Sequence, residues 1–211
     1  MQNKYLAWTL FILLLLILFA ASALLSLSSG EAAIGLKDIP SVLGDKEQME
    51  YYILTQIRMP RIILALAVGG SLSLAGAILQ GIYRNPLVEP YTLGISGGAA
   101  LGVALTIVSG LHLTLGTLIL PLSGFTGAAI VILIVGVLGF FRGGSNVNKM
   151  LLIGVMISFV ASSAMMFLMS ISSADNVYSI VFWIMGSLNE PNQVLIRITL
   201  FASLVGLAIS Y

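Results

Sequence analysis

Long apolar blocks alternate with short polar connections along the whole chain. Positions 5-27, 62-82, 92-108, 113-141, 150-171 and 194-211 are almost free of charge, and the charged residues fall between them. A helix needs about 20 consecutive apolar residues to cross a ~30 Å hydrocarbon core. None of the blocks alternates with period two, so barrel strands are not predicted, and helices remain the way to satisfy every backbone N–H and C=O in lipid. The pattern predicts an all-α fold: a polytopic transmembrane helical bundle with six candidate spans in one domain. The first block follows Lys4. Its apolar part, about 23 residues, exceeds the roughly 7 to 15 of a signal peptide, so a retained span is expected. The third block is short. The fourth is long, and Pro121 within it predicts a tilt or a bend, because proline removes one helical hydrogen bond.

Small residues gather in the second and third blocks. "LAVGGSLSLAGA" contains Gly76, and Gly94, Gly98 and Gly102 recur at four-residue spacing. Such spacing lets membrane helices approach closely where no hydrophobic force draws them together. These four glycines are therefore expected to pack helices. Three connections stand out. Gly30 to Ile57 mixes acids and bases and reads as an ordered external loop. "RNPLVEP", Arg84 to Pro90, holds two prolines that forbid a continuous helix, and its bland reading is a turn. Ser173 to Gln193 contains "VYSIVFWIMGSLNEP", an apolar piece too short to span, which reads as a re-entrant or interfacial helix with Trp183 at headgroup level.

Composition narrows the chemistry. Of 211 residues, 59% are hydrophobic and 8% charged, and the mean hydropathy is +1.09. A globular domain carries about 25% charged residues. A net charge of +1 provides no basic field for nucleic acid. With no cysteine and a single His112, no disulfide, thiolate or cluster of metal ligands is expected, and no catalytic residue or cofactor site is identified. The chain has no G-x-x-x-x-G-K-[ST] phosphate loop, so ATP hydrolysis would need a separate subunit. No Asp, Glu or His lies clearly within a block. That disfavours an ion-coupled secondary transporter, and still more an intramembrane enzyme, the two alternatives to the reading developed below.

The charges that remain are oddly placed. "QIRMPRIIL", Gln56 to Leu64, puts Arg58 and Arg61 on either side of a proline where the chain turns apolar. With the N-terminus inside, Lys4, Arg84, Arg142 and Lys149 fall inside, and Lys37, Lys46, Arg58, Arg61 and Arg197 fall outside. The positive-inside tendency then offers no support. Arg58 and Arg61 become candidates for a partner surface: arginine's fork pairs bidentately with carboxylates, and two residues three apart at a helix start can share a face. Snorkelling to lipid phosphate is the plainer alternative.

The stretch from Gln56 to Gly102 resembles the FecCD-type permease subunits of bacterial ABC importers for iron-siderophores, haem and cobalamin. Arg58, Pro60 and Arg61 fit an R-x-P-R motif, and Gly76 with Gln80 fits a G-x-x-x-Q helix. Asn85, Pro86, Leu87 and Pro90 fit an N-P-L-A-x-P turn in which Val88 replaces the usual alanine. Leu93, Gly94, Gly98 and Ala99 fit the element that follows. The resemblance implies a multi-pass protein of the cell membrane, with a cytoplasmic N-terminus. It also implies ATPase subunits, a substrate-binding protein that docks on Arg58 and Arg61, and a second permease subunit, as homo- or heterodimer. It implies a narrowing of the cytoplasmic end of the pathway by small polar residues, where Asn146, Val147 and Asn148 of "RGGSNVNK" fall here. In the fifth block, Ser158, Ser162, Met165 and Met169 recur at helical spacing and could line a pathway that holds cargo weakly, or simply pack between helices. The resembled permeases carry more spans than this sequence, so it is expected to be the N-terminal part of a longer chain, unable to transport alone.

Overall fold

The computed structural model describes residues 2–30, 32, 34–116, 118–140, 147–190 and 192–210, all helix, turn or irregular connection. The chain divides into two compact units, Met1–Gly69 with Leu188–Gly206 and Gly70–Ser187 with Leu207–Tyr211.

In the first unit, α1 (Gln2–Ser28) is one unbroken helix of 27 residues, about 40 Å long at 1.5 Å per residue. This fits a membrane span. Its side chains are exposed from Lys4 to Ser22, and only Ala23, Leu27 and Ser28 are half-buried. The described residues of the connection that follows fold into α2 (Ile39–Gly44) and α3 (Met49–Tyr52) around a small core of Ile34, Val42 and Leu54, against which Leu27, Ile39 and Tyr51 pack. Asp45 braces the loop: its carboxylate accepts the Glu47 N–H at 3.2 Å and the Gln48 side-chain amide at 2.8 Å.

α3 does not end at Tyr52. It passes through a π-helical turn, Ile53–Arg58, into α4 (Met59–Tyr83), so that one helix of 35 residues runs from Met49 to Tyr83. Pro60 accounts for the wide turn. Its ring has no N–H and would crowd the carbonyl of Gln56 four residues back; shifting to a five-residue bond, Met59 N–H to Leu54 O, opens the helix at that point. The predicted span 62-82 is therefore the inner part of a longer helix. A hydrogen bond joins α10 (Gln193–Ser210) to α4: the Ser203 hydroxyl donates to Ala67 O at 3.1 Å.

The second unit contains α5 (Ile95–Val108), α6 (Leu111–Thr114), α7 (Ile119–Phe140), α8 (Val147–Ile171) and α9 (Ala174–Met185). α5 lies against α7 and α8. Val103, Ala104, Ile107 and Ile180 form its core, with Leu168 and Trp183 packed on them. The block predicted at 113-141 is divided: one turn of helix at Leu111–Thr114, a break at Gly116, and α7 from Ile119. Pro121 therefore stands in the first turn of α7, where its missing N–H had no helical acceptor to lose, and it does not bend a span. α9 is, as predicted, too short to cross. Ser173 caps it by accepting the Asn176 N–H, and Trp183 packs against Gly124.

Five stretches among the described residues are long and apolar enough to cross a membrane: Lys4–Ser28, Met49–Tyr83, Ile119–Gly139, Asn148–Ile171 and Gln193–Ser210. α5, with 14 residues, reaches only about 21 Å. Within α5, Gly98, Val103, Ala104, Thr106 and Ile107 are enclosed by protein. In the first unit, Arg61 Nη2 donates to Asn189 Oδ1 at 3.1 Å, and Gln193 Nε2 donates to Gln56 Oε1 at 3.4 Å.

Candidate functional site

The two arginines of "RMPR" differ sharply in environment. Arg58 is 8% exposed. Its Nη1 donates to Leu27 O and its Nη2 to Ala32 O. Leu27 belongs to the last turn of α1, where its carbonyl has no donor within the helix and carries part of the negative end of the helix dipole, so a buried guanidinium is well matched there. Gly30 makes room for it: at φ +143° the backbone suits glycine, and a Cβ would stand 2.8 Å from Arg58 Nη2. Arg61 is exposed, and reaches Asn189. Both arginines line a cleft of about 590 Å³ with Ser26, Ser29, Ile53 and Ile57. The expectation that they share a face holds for the lining of this cleft but not for exposure, because the α1 carbonyls hold Arg58 inside. Asn189, the partner of Arg61, was not singled out in the sequence. Nothing local marks it, since it lies 128 residues away.

"RNPLVEP" is a complete turn. Arg84 N–H donates to Gly81 O and Asn85 N–H to Gln80 O, the paired bonds of a Schellman C-cap, with Arg84 in the left-handed region at φ +48° where glycine usually stands. Asn85 Oδ1 accepts the Leu87 N–H at 3.0 Å, and the Thr92 hydroxyl donates to Glu89 O at 2.7 Å. Val88, the departure from the resembled motif, is 1% exposed and packs with Tyr83 and Leu93. The side chains of Arg84 and Leu87 are exposed.

The packing glycines behave unequally. A Cβ on Gly98 would collide with Val131 and stand 2.7 Å from Gly127 O, and one on Gly102 would strike Ser123 O. α5 and α7 therefore meet backbone to backbone. A Cβ on Gly94 would stand 2.8 Å from Gly154 O. The partners Gly127 and Gly154 were missed, although Ser123 and Gly127 carry the same four-residue spacing. At Gly76 nothing lies within 4 Å of the Cβ position. That glycine lies on a helix face without a close neighbour among the described residues.

The four residues of the fifth block also separate. Met165 and Met169 pack against the α5 core. The Ser158 hydroxyl lies 3.2 Å from Tyr91 O and 3.1 Å from Gly154 O and shares its one proton between them, tying α8 to the turn before α5. Ser162 is exposed. Of the three residues expected at a gate, Asn146 lies outside the described residues, Val147 opens the α8 backbone, and Asn148 is exposed.

Closely crossed glycine helices and five long apolar helices among the described residues define a multi-pass helical membrane protein. The chain belongs to the FecCD transport family, which matches residues 12–211. It is similar to the uncharacterized ABC transporter permease YvrB of Bacillus subtilis, 36% identical over 151 residues, covering 70% of this chain and 42% of that protein. The molybdate import system permease MolB of Haemophilus influenzae is 34% identical over 84% of this chain and 54% of its own length. The vitamin B12 import system permease BtuC of Salmonella paratyphi A is 34% identical over 88% of this chain and 53% of its own length. A solved transporter assigned to the metal-chelate ABC type, in an inward-facing conformation, superposes with a TM-score of 0.77 at 29% identity, over 92% of this chain and 59% of its own. The chain spans about half the length of the curated relatives it matches.

Proposed function

We propose that this chain is the membrane-spanning part of a permease subunit of an ABC importer. The observation that carries the reading is the family match along nearly the whole chain. The subunit hydrolyses no ATP itself. It assembles with ATPase subunits and a second permease subunit, and receives cargo from a soluble binding protein whose acidic side chains meet the cleft around Arg61. Ser162 faces the pathway, and Asn146, Val147 and Asn148 narrow its cytoplasmic end. The cargo is an iron-siderophore, haem or cobalamin-type chelate. Relatives named for molybdate and vitamin B12 import make molybdate the comparison to include.

Proteoliposomes holding the assembled importer, with this chain, the second permease subunit, the ATPase subunits and the binding protein, test the proposal. Uptake of labelled ferric siderophore, haem, cobalamin or molybdate should require ATP and be insensitive to collapse of ion gradients. Uptake driven by a proton or sodium gradient without ATP would refute it in favour of a secondary transporter.

A further inference from the structure

We infer that the connection between α5 and α7 does not emerge into water but rests in the acyl–headgroup boundary of the bilayer, as a leucine tip whose partner is lipid. Between Glu89 and Arg142 the chain holds no Asp, Glu, Lys or Arg, whereas the stretches 29–58, 84–90, 142–149 and 172–192 all carry charge. Leu111, Leu113 and Leu115 of "SGLHLTLG", and Leu118 beyond it, are exposed, Leu113 at 80%. In water so short a turn would hold a cluster of apolar surface with nothing to cover it. The cluster continues into the exposed apolar side chains of α7, at Leu122 and Phe125, on a helix long and apolar enough to cross the membrane. That continuity selects the occupant: the acyl chains that surround α7 extend over the tip. Depth agrees. Exposed Arg84 and Glu89 set the turn before α5 at a water face. From there the 14 residues of α5 rise about 21 Å, short of a ~30 Å hydrocarbon core, and deliver Ser109 to the far boundary rather than beyond it. A turn in that layer must satisfy its own polar groups, and here the N–H groups of Ser109, Gly110, Leu113, Leu115 and Ile119 all donate to nearby carbonyls. The Ser109 hydroxyl donates to Thr106 O and the Thr114 hydroxyl to Leu111 O. His112 Nδ1 is the exception, without a partner among the described residues, but it is buried and so does not face the bilayer. The inference rests on the chain spanning a membrane and not on the importer reading.

The chain has no cysteine, so a single nitroxide goes where it is placed. Leu113→Cys and Leu115→Cys are labelled in vesicles of phosphatidylethanolamine and phosphatidylglycerol, in the purified chain and in the assembled importer. Collisions with oxygen, which concentrates in hydrocarbon, and with a polar nickel chelate, which stays in water, report the surroundings. A label on exposed Phe125 of α7 marks lipid, and one on exposed Lys46 marks water. Both tip labels should lose the nickel collisions seen at Lys46 and keep oxygen collisions at the level seen at Phe125. Leu113→Trp supplies a probe without a label: lipids brominated near the headgroup end of the acyl chain should quench its emission more than lipids brominated near the chain end. Nickel collisions equal to those at Lys46 would overturn the inference by placing the tip in water. Shielding from both reagents, in either preparation, would overturn it as well, because a protein partner or a second copy would then cover the leucines. Emission from Leu113→Trp that neither brominated lipid quenches counts against it in the same way.

Discussion

Gly154→Ala should destabilise this chain, and Gly76→Ala should not. The contrast follows from what each new methyl group would meet. At Gly154 the Cβ would stand 2.7 Å from Leu93 Cα, 2.8 Å from Thr92 O and 2.9 Å from Leu93 C, about 0.5–0.7 Å inside ordinary contact. All three atoms are backbone, so no rotamer change relieves the overlap, and α8 must withdraw from the turn before α5. A gap of about 0.5–1 Å forfeits a quarter to a half of each contact along the seam. Withdrawal also stretches the Ser158 bond to Tyr91 O. Overpacking of this kind costs about 1–3 kcal/mol. At Gly76 the Cβ meets nothing within 4 Å. Alanine there gains about 0.5–1 kcal/mol of helix propensity. Reversible unfolding of the purified chain in mixed micelles, followed by circular dichroism against denaturing-detergent fraction, measures both. Equal stability of the two variants would refute the reasoning, because it would mean that the α8–turn seam is no tighter than an open helix face.

Other outcomes can be read in the same assay. Arg84→Gly should stabilise the chain by about 1 kcal/mol, since the left-handed conformation at φ +48° penalises any Cβ, and Arg84→Ala should gain nothing. Val88→Ala, which restores the residue of the resembled motif, should cost about 2 kcal/mol by emptying a site closed by Tyr83 and Leu93. Ser158→Ala should cost about 0.5–1 kcal/mol for its interhelical bond, and Ser162→Ala next to nothing; equal losses would mean that Ser158 is not tied to Tyr91.

The helices were legible because an apolar block in lipid has few alternatives, and the short α9 was legible from its length. Boundaries were less so. Nothing in the run 113-141 announces that the chain turns at Gly116, which moves Pro121 from a bend to a helix start. Glycine spacing identified a packing face at Gly94, Gly98 and Gly102 but could not say what fills it; the same pattern at Gly76 faces no close neighbour. Spacing is a property of one helix, and contact is a property of two. Arg58 shows the limit most clearly. Its acceptors lie 31 and 26 residues upstream, so its burial depends on how the loop folds back, which no local motif records.

The exposure of α1 has a consequence for how this protein can change over time. From Lys4 to Ser22 no side chain in this chain is even half-buried, so the chain's own packing asks of that segment oiliness and length but hardly identity. Any further constraint on which apolar residue stands where must come from another subunit. Leu27 and the glycine that admits the Arg58 fork stand at the point where this chain's own packing begins to choose.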